Sequence, residues 1–182
     1  IYGLSGRTRF DLVVNLLTAK AKIDGEITIH GGNQWRPFVH VDDAAESIVV
    51  TLEAPTDLAA RQIFNVGSNE QNYTISEIGE RVQQQVIGAT LDVSDTNLDH
   101  RNYRVDFRKI RDRLGFRPAW TVDQGIEQVL EAIINGEITD YRDVRYSNVE
   151  FLLREGTSNL DRHHWARELI RDLAENEADE IR

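Results

Sequence analysis

The run from Gly31 to Asp43, Gly-Gly-Asn-Gln-Trp-Arg-Pro-Phe-Val-His-Val-Asp-Asp, constrains the fold more than any other stretch of the chain. Adjacent glycines permit a tight turn that side chains with a Cβ resist. Arg36 to Val41 then alternates as a strand does, and Asp43-Ala44-Ala45-Glu46 forms a capping box from which a helix starts. Just before the turn, Ile27-Thr28-Ile29 alternates as a second short strand. Strand, turn, strand and helix in such close order predict a mixed α/β architecture.

The alternation continues along the chain. Phe10 to Lys22 reads as a helix with Leu12, Leu16 and Ala19 on one face and Asp11 as its natural N-cap. The helix opened by the Asp43 box is expected to bury Ala44, Ile48 and Leu52 and to end at Pro55. Ile63 to Val66 is almost wholly apolar, which predicts a strand buried on both faces as in a parallel sheet. Thr74-Ile75-Ser76-Glu77 is another capping box, followed by a stripe of Ile75, Ile78, Val82 and Val86. Leu91 to Val93 is a short strand. Asp106 can cap a helix carrying Phe107, Ile110 and Leu114, closed by Gly115. Thr121 to Gln124 is a third capping box, leading a helix with Val122, Ile126, Val129 and Ile133 inward. After Gly136 the chain turns charge-rich, with a final helix around Trp165. Residues 1–136 therefore read as one α/β portion and 137–182 as a charged C-terminal extension with a terminal helix.

With 182 residues there is enough chain to bury a core. Lys and Arg number 21 against 31 Asp and Glu, a net charge of −10 that disfavours a nucleic-acid partner. No stretch is apolar for the roughly 20 residues a membrane span requires, so a soluble cytoplasmic protein is the default expectation. Cysteine is absent, which removes disulfides, thiolate metal sites and a Cys nucleophile. His163 and His164 are adjacent and would diverge from a helix, so no metal site is expected. Methionine is absent too, and a chain opening Ile-Tyr-Gly reads as a piece of a longer one.

Two residues invite chemical readings. Arg36, at the mouth of a strand after a glycine turn, can fork onto two phosphate oxygens; it can equally serve as a strand-end arginine in a surface ion pair. Histidine is the residue type most often used as a base near neutral pH, so His40 could act as one, but in an alternating apolar strand a structural histidine is the stronger reading.

The run from Gly31 to Asp43, together with Ile63-Phe64-Asn65-Val66-Gly67 and Arg101-Asn102-Tyr103, resembles the C-terminal, substrate-side part of extended short-chain dehydrogenases that act on nucleotide sugars, the NAD-dependent epimerase/dehydratase family. The resemblance covers about Ile1 to Gly136. It implies a Rossmann-type fold and assigns Arg36 to the substrate pyrophosphate. The family's usual Arg-Pro-Gly is replaced by Thr96-Asn97-Leu98, which makes Arg101 the candidate for the second phosphate contact. The start of the first helix would face the diphosphate, bringing Arg7, Arg9 and Asn15 within reach, each with a local structural role as its alternative. Asn69 stands where the family contacts the nucleotide base or forms a turn, and Tyr2-Gly3 resembles the pair bordering the nicotinamide. The Gly-rich dinucleotide loop and the Tyr-x-x-x-Lys pair are not in these residues. The resemblance thus implies the substrate-binding portion of an NAD-dependent nucleotide-sugar epimerase or dehydratase, with NAD bound mainly by an N-terminal half and a homodimer open to the full-length enzyme. A non-catalytic nucleotide-sugar-binding or interaction module, or an atypical reductase of the family, is the alternative.

Overall fold

Apolar spacing decides most of the elements in the computed structural model, which describes residues 1–94 and 101–149. The Thr96-Asn97-Leu98 triplet and the expected tail helix with His163, His164 and Trp165 lie outside the described residues. The first helix, α1 (Val13–Ala19), runs on into a wider π-helical turn over Lys20–Asp24. Then come β1 (Glu26–His30), β2 (Trp35–Pro37), α2 (Val41–Glu53) and the short α3 (Thr56–Ala59). They are followed by β3 (Asn72–Thr74), α4 (Ile75–Gln85), β4 (Thr90–Ser94), α5 (Arg108–Leu114) and α6 (Val122–Ile134).

The strands pair in two small sheets. β1 and β4 run parallel, Ile27 opposite Leu91 and Ile29 opposite Val93. β2 and β3 run antiparallel, with Trp35 opposite Thr74 and Arg36 opposite Tyr73. A single parallel bridge joins Tyr2 to His40, with Tyr2 N–H donating to Val39 at 3.0 Å and Val41 N–H to Tyr2 at 2.9 Å. Helices α1, α4 and α6 pack on one another and α4 covers β1 and β4. Their shared core contains Val14, Leu17, Ile27, Ile29, Ile78, Val82, Val122 and Ile126. Both capping boxes before α4 and α6 form as the sequence predicts, Glu77 and Gln124 reaching back to the main chain of Thr74 and Thr121.

Five expectations are corrected. Asp11 does not cap α1; Leu12 holds the N-cap position without a side-chain bond, and Asp11 instead makes a bidentate pair with Arg9. Helix α2 starts at Val41, capped by the His40 ring accepting from Asp42 N–H, so the Asp43 capping box is not used. That helix also turns a different face inward. Asp43 and Ser47 are buried while Ile48 is 62% and Leu52 80% exposed. Asp43 is drawn in because its carboxylate accepts from the N–H groups of Ala119 and Trp120, at 2.7 and 3.1 Å. The fourth correction concerns Ile63 to Val66, which is not a strand: no described strand lies alongside to pair with it, and Ile63 is 85% exposed. Lys109 holds it by donating to the Ile63 carbonyl at 2.9 Å. The strand expected over Arg36–Val41 is shorter, covering Trp35–Pro37.

Residues 1–142 form one compact unit, which therefore takes in Ile138, Tyr141 and Arg142 beyond Gly136. A second unit spans 143–182; its described part is a 3-10 turn at Val144–Tyr146, capped by Asp143 accepting from Arg145 N–H.

Candidate functional site

Arg36 and Arg101, distant in sequence, line the same cleft of about 450 Å³. Pairing explains their approach. The segment after Arg101 lies along β2: Asn102 accepts from Trp35 N–H at 3.0 Å and Tyr103 N–H donates to the Trp35 carbonyl at 3.3 Å. Two cation–π contacts interleave across this join, Arg36 over Tyr103 at 5.2 Å and Arg104 over Trp35 at 4.2 Å. Arg36 Nη1 also donates to the Trp35 carbonyl at 2.8 Å and to the Arg101 carbonyl. Main-chain and aromatic contacts thereby fix the Arg36 side chain in place. Opposite it stand the residues leading into α1, Asp11 to Val14, with Phe38 and Ile75 as apolar wall. His30 and Gln34, either side of the Gly31–Gly32 turn, complete the lining. Sequence reasoning passed over both, although a tight turn brings its flanks together and so points to them.

Asn15 and Tyr2 fall at a neighbouring cleft of about 240 Å³, whose lining also includes Arg7 and Arg9 and which shares Ile1 and Leu12 with the first. Asn15 is buried and spends its amide on the main chain: it accepts from Gly3 N–H at 3.0 Å and donates to the carbonyls of Gly3 and Arg9 at 3.1 and 3.0 Å. Its effect is to hold the Gly3–Arg9 segment in position. The Tyr2 ring turns into the core, edge-on to His40, and closes on Gly125. Burial, with Asp43 adding to it, pushes the Tyr2 hydroxyl well above the ordinary tyrosine value, and among the described residues that hydroxyl has no hydrogen-bond partner.

His40 joins these parts. It is 0% exposed, stacked on Trp120 with centroids 4.0 Å apart. Because Nδ1 accepts from Asp42 N–H, the proton sits on Nε2, which donates to Gln128 Oε1 at 3.0 Å. The same Gln128 oxygen accepts from Leu4 N–H at 3.0 Å. The geometry gives His40 a structural role. Gln128, which no motif marks, is tied to it by this hydrogen bond.

Asn69 is not brought to the Arg36–Arg101 cleft. Its Oδ1 accepts from Phe107 N–H at 2.8 Å, and it lines a separate cleft of about 280 Å³ with Gly67, Phe107, Arg111 and Arg117. Among the described residues no group of His, Asp and Glu could hold a metal ion, and no helix is long and apolar enough to cross a membrane.

This α/β arrangement has relatives among known proteins. The model of the NAD dependent epimerase/dehydratase family matches residues 2–67. A dTDP-glucose 4,6-dehydratase of Xanthomonas campestris is 28% identical over 137 residues, 65% of this chain and 36% of that protein. The chain thus spans about a third of the length of that curated relative. Among solved structures, TunA, an NAD dependent NDP-hexosamine 5,6-dehydratase of tunicamycin biosynthesis, superposes with a TM-score of 0.62 at 20% identity, over 76% of this chain and 46% of its own. MoeE5, solved with UDP-glucose and NAD, gives a TM-score of 0.57 at 21% identity, over 75% and 46%. The fold is therefore the Rossmann-like α/β fold of these sugar-nucleotide enzymes.

Proposed function

We propose that these residues are the substrate-binding portion of an NAD-dependent nucleotide-sugar epimerase or dehydratase, and that the Arg36–Arg101 cleft takes the diphosphate. One observation carries this reading: two guanidinium groups from separate parts of the chain line one cleft beside the start of α1. Guanidinium forks match phosphate oxygens in geometry and charge. The family match over residues 2–67 and the UDP-glucose held by MoeE5 support the substrate class. Held by its phosphates, the sugar would be positioned for chemistry at a carbon remote from the arginines.

NAD does not fit the described residues by itself. No Gly-rich turn joins a strand to a helix among them, and Tyr2, the one candidate side chain, is turned into the core. In this reading NAD is held mainly by residues other than these. For the same reason, and because no tyrosine is followed four residues later by lysine, the purified 182-residue chain is expected to bind a nucleotide sugar without turning it over.

Calorimetric titration with UDP-glucose and dTDP-glucose tests the cleft. Arg36→Ala should weaken binding by about 2–3 kcal/mol, with Arg101→Ala similar, and Arg36→Lys should recover only part of the loss. Unchanged affinity in Arg36→Ala would remove the diphosphate from this cleft.

A further inference from the structure

The cleft around Asn69 shares no lining residue with the Arg36–Arg101 cleft, and its chemistry is distinct. Its floor is aromatic: Phe107 and Phe116 are both buried. Gly67 presses directly on that floor. A Cβ there would lie 2.8 Å from the Phe107 ring, at a φ of +150° that side chains rarely adopt, so the main chain of the 67–70 turn sits as low over the cleft as atoms allow. The walls carry Arg108, Arg111 and Arg117, with Glu70 on the rim.

The three arginines are not fully occupied by neighbouring acids. Arg108 pairs with Asp106 and Arg111 with Asp112, each within two residues in sequence and each pair solvent-exposed. Exposed local pairs of this kind contribute little and exchange readily for a better anion. Arg117 makes no hydrogen bond or ion pair among the described residues. Arg111 and Arg117 both act on Glu70, whose carboxyl is held below its ordinary value first by the Ser68 hydroxyl, next by its own main-chain N–H, and after these by the two cations. The guanidinium groups therefore address the interior of the cleft as well as their sequence neighbours.

We propose that this cleft is a second ligand site, taking a single phosphate group on Arg111 and Arg117 and the hydroxylated body of a small phosphate ester over Phe107 and Phe116. The size supports this class. About 280 Å³ lies at the small end of ligand clefts, enough for a monosaccharide monophosphate and too little for a dinucleotide. The Glu70 carboxylate on the rim narrows the choice further: it repels a second negative group and accepts a hydrogen bond from a hydroxyl.

The test titrates the full 182-residue chain with glucose 6-phosphate, inorganic phosphate and glucose, following backbone amide resonances of residues 67–70 and 107–111. Glucose 6-phosphate should shift them saturably, more tightly than inorganic phosphate, and glucose should shift nothing. Arg117→Ala, a change at an exposed position, should weaken the ester roughly ten-fold, and Arg111→Ala comparably, whereas Arg36→Ala should leave it unchanged. Non-saturating shifts, equal affinity for ester and inorganic phosphate, or loss of binding in Arg36→Ala but not in Arg117→Ala would each overturn the proposal. Because Arg36 belongs to the other cleft, failure here leaves the diphosphate reading standing.

Discussion

At the scale of single residues, the molecule is organised around buried His40, Asn15 and Asp43 and half-buried Gln128. Each ends a main-chain segment's search for hydrogen-bond partners: Asn15 serves Gly3 and Arg9, Gln128 serves Leu4, and Asp43 serves Ala119 and Trp120. Such groups are costly to bury unpaired, so their mutual satisfaction specifies one arrangement of the site-lining loops. Gly3 is the tightest point. An added Cβ would fall 2.1 Å from His40 Nε2, and the residue has φ +94°. Gly3→Ala should therefore cost about 3 kcal/mol, combining a left-handed backbone with overpacking against a ring that cannot move. Urea denaturation of wild type and variant measures it; a loss below about 1 kcal/mol would show that His40 is free to yield. His40 itself was legible from sequence as a structural residue, since it sits in an apolar alternation. Its partner Gln128 was not, because one glutamine on a helix carries no pattern.

At the scale of elements, periodicity found α4 and α6 with their inward stripes, and the capping boxes gave their start points. The same reasoning chose the wrong face of α2. Apolar spacing says which residues share a side, and it says nothing of which side a neighbour needs. In α2 the neighbour needs an acceptor: the N–H groups of Ala119 and Trp120 take the Asp43 carboxylate, and Ile48 and Leu52 are turned outward as a result. Ile63 to Val66 fails for a related reason. An apolar run becomes a strand only where another strand offers its main chain, and none among the described residues does. The two cases yield a paired prediction. Leu52→Lys should change stability by no more than about 0.5 kcal/mol, whereas Ile78→Ala, in the core beneath α4, should cost about 2–4 kcal/mol. A large loss in Leu52→Lys, read by the same denaturation, would mean that α2 buries the face its sequence suggests.

At the scale of the whole molecule, the family resemblance set Arg36 and Arg101 on one diphosphate without saying how they meet; what joins them is the docking of Asn102 and Tyr103 along β2, a tertiary pairing that neither motif announces. The same holds for the far end of the unit, where residues beyond α6 return to the turn that follows α1. Asp24 accepts from the Tyr141 hydroxyl at 2.6 Å and takes a two-oxygen contact from Arg142, while Phe10 meets the Tyr141 ring at 6.2 Å. This clasp makes stability depend on pH at both limits. The Arg142 bond, chiefly, holds the Asp24 carboxyl below its ordinary value of 3.8. A depressed folded value means the contribution is complete above that ordinary value and vanishes as pH falls through the folded one. Tyr141 runs the other way. Burial first, and the bond to Asp24 second, push its hydroxyl from 10.0 up to about 12. A raised folded value means that its contribution is complete below pH 10.0 and is lost as pH rises through about 12. Asp24→Asn should accordingly flatten the loss of stability as pH falls below about 4, and Tyr141→Phe should leave that acid limb nearly intact while flattening the alkaline one. Urea denaturation across the pH range separates the two, and an acid limb in Asp24→Asn as steep as in wild type would show that the clasp does not close in solution.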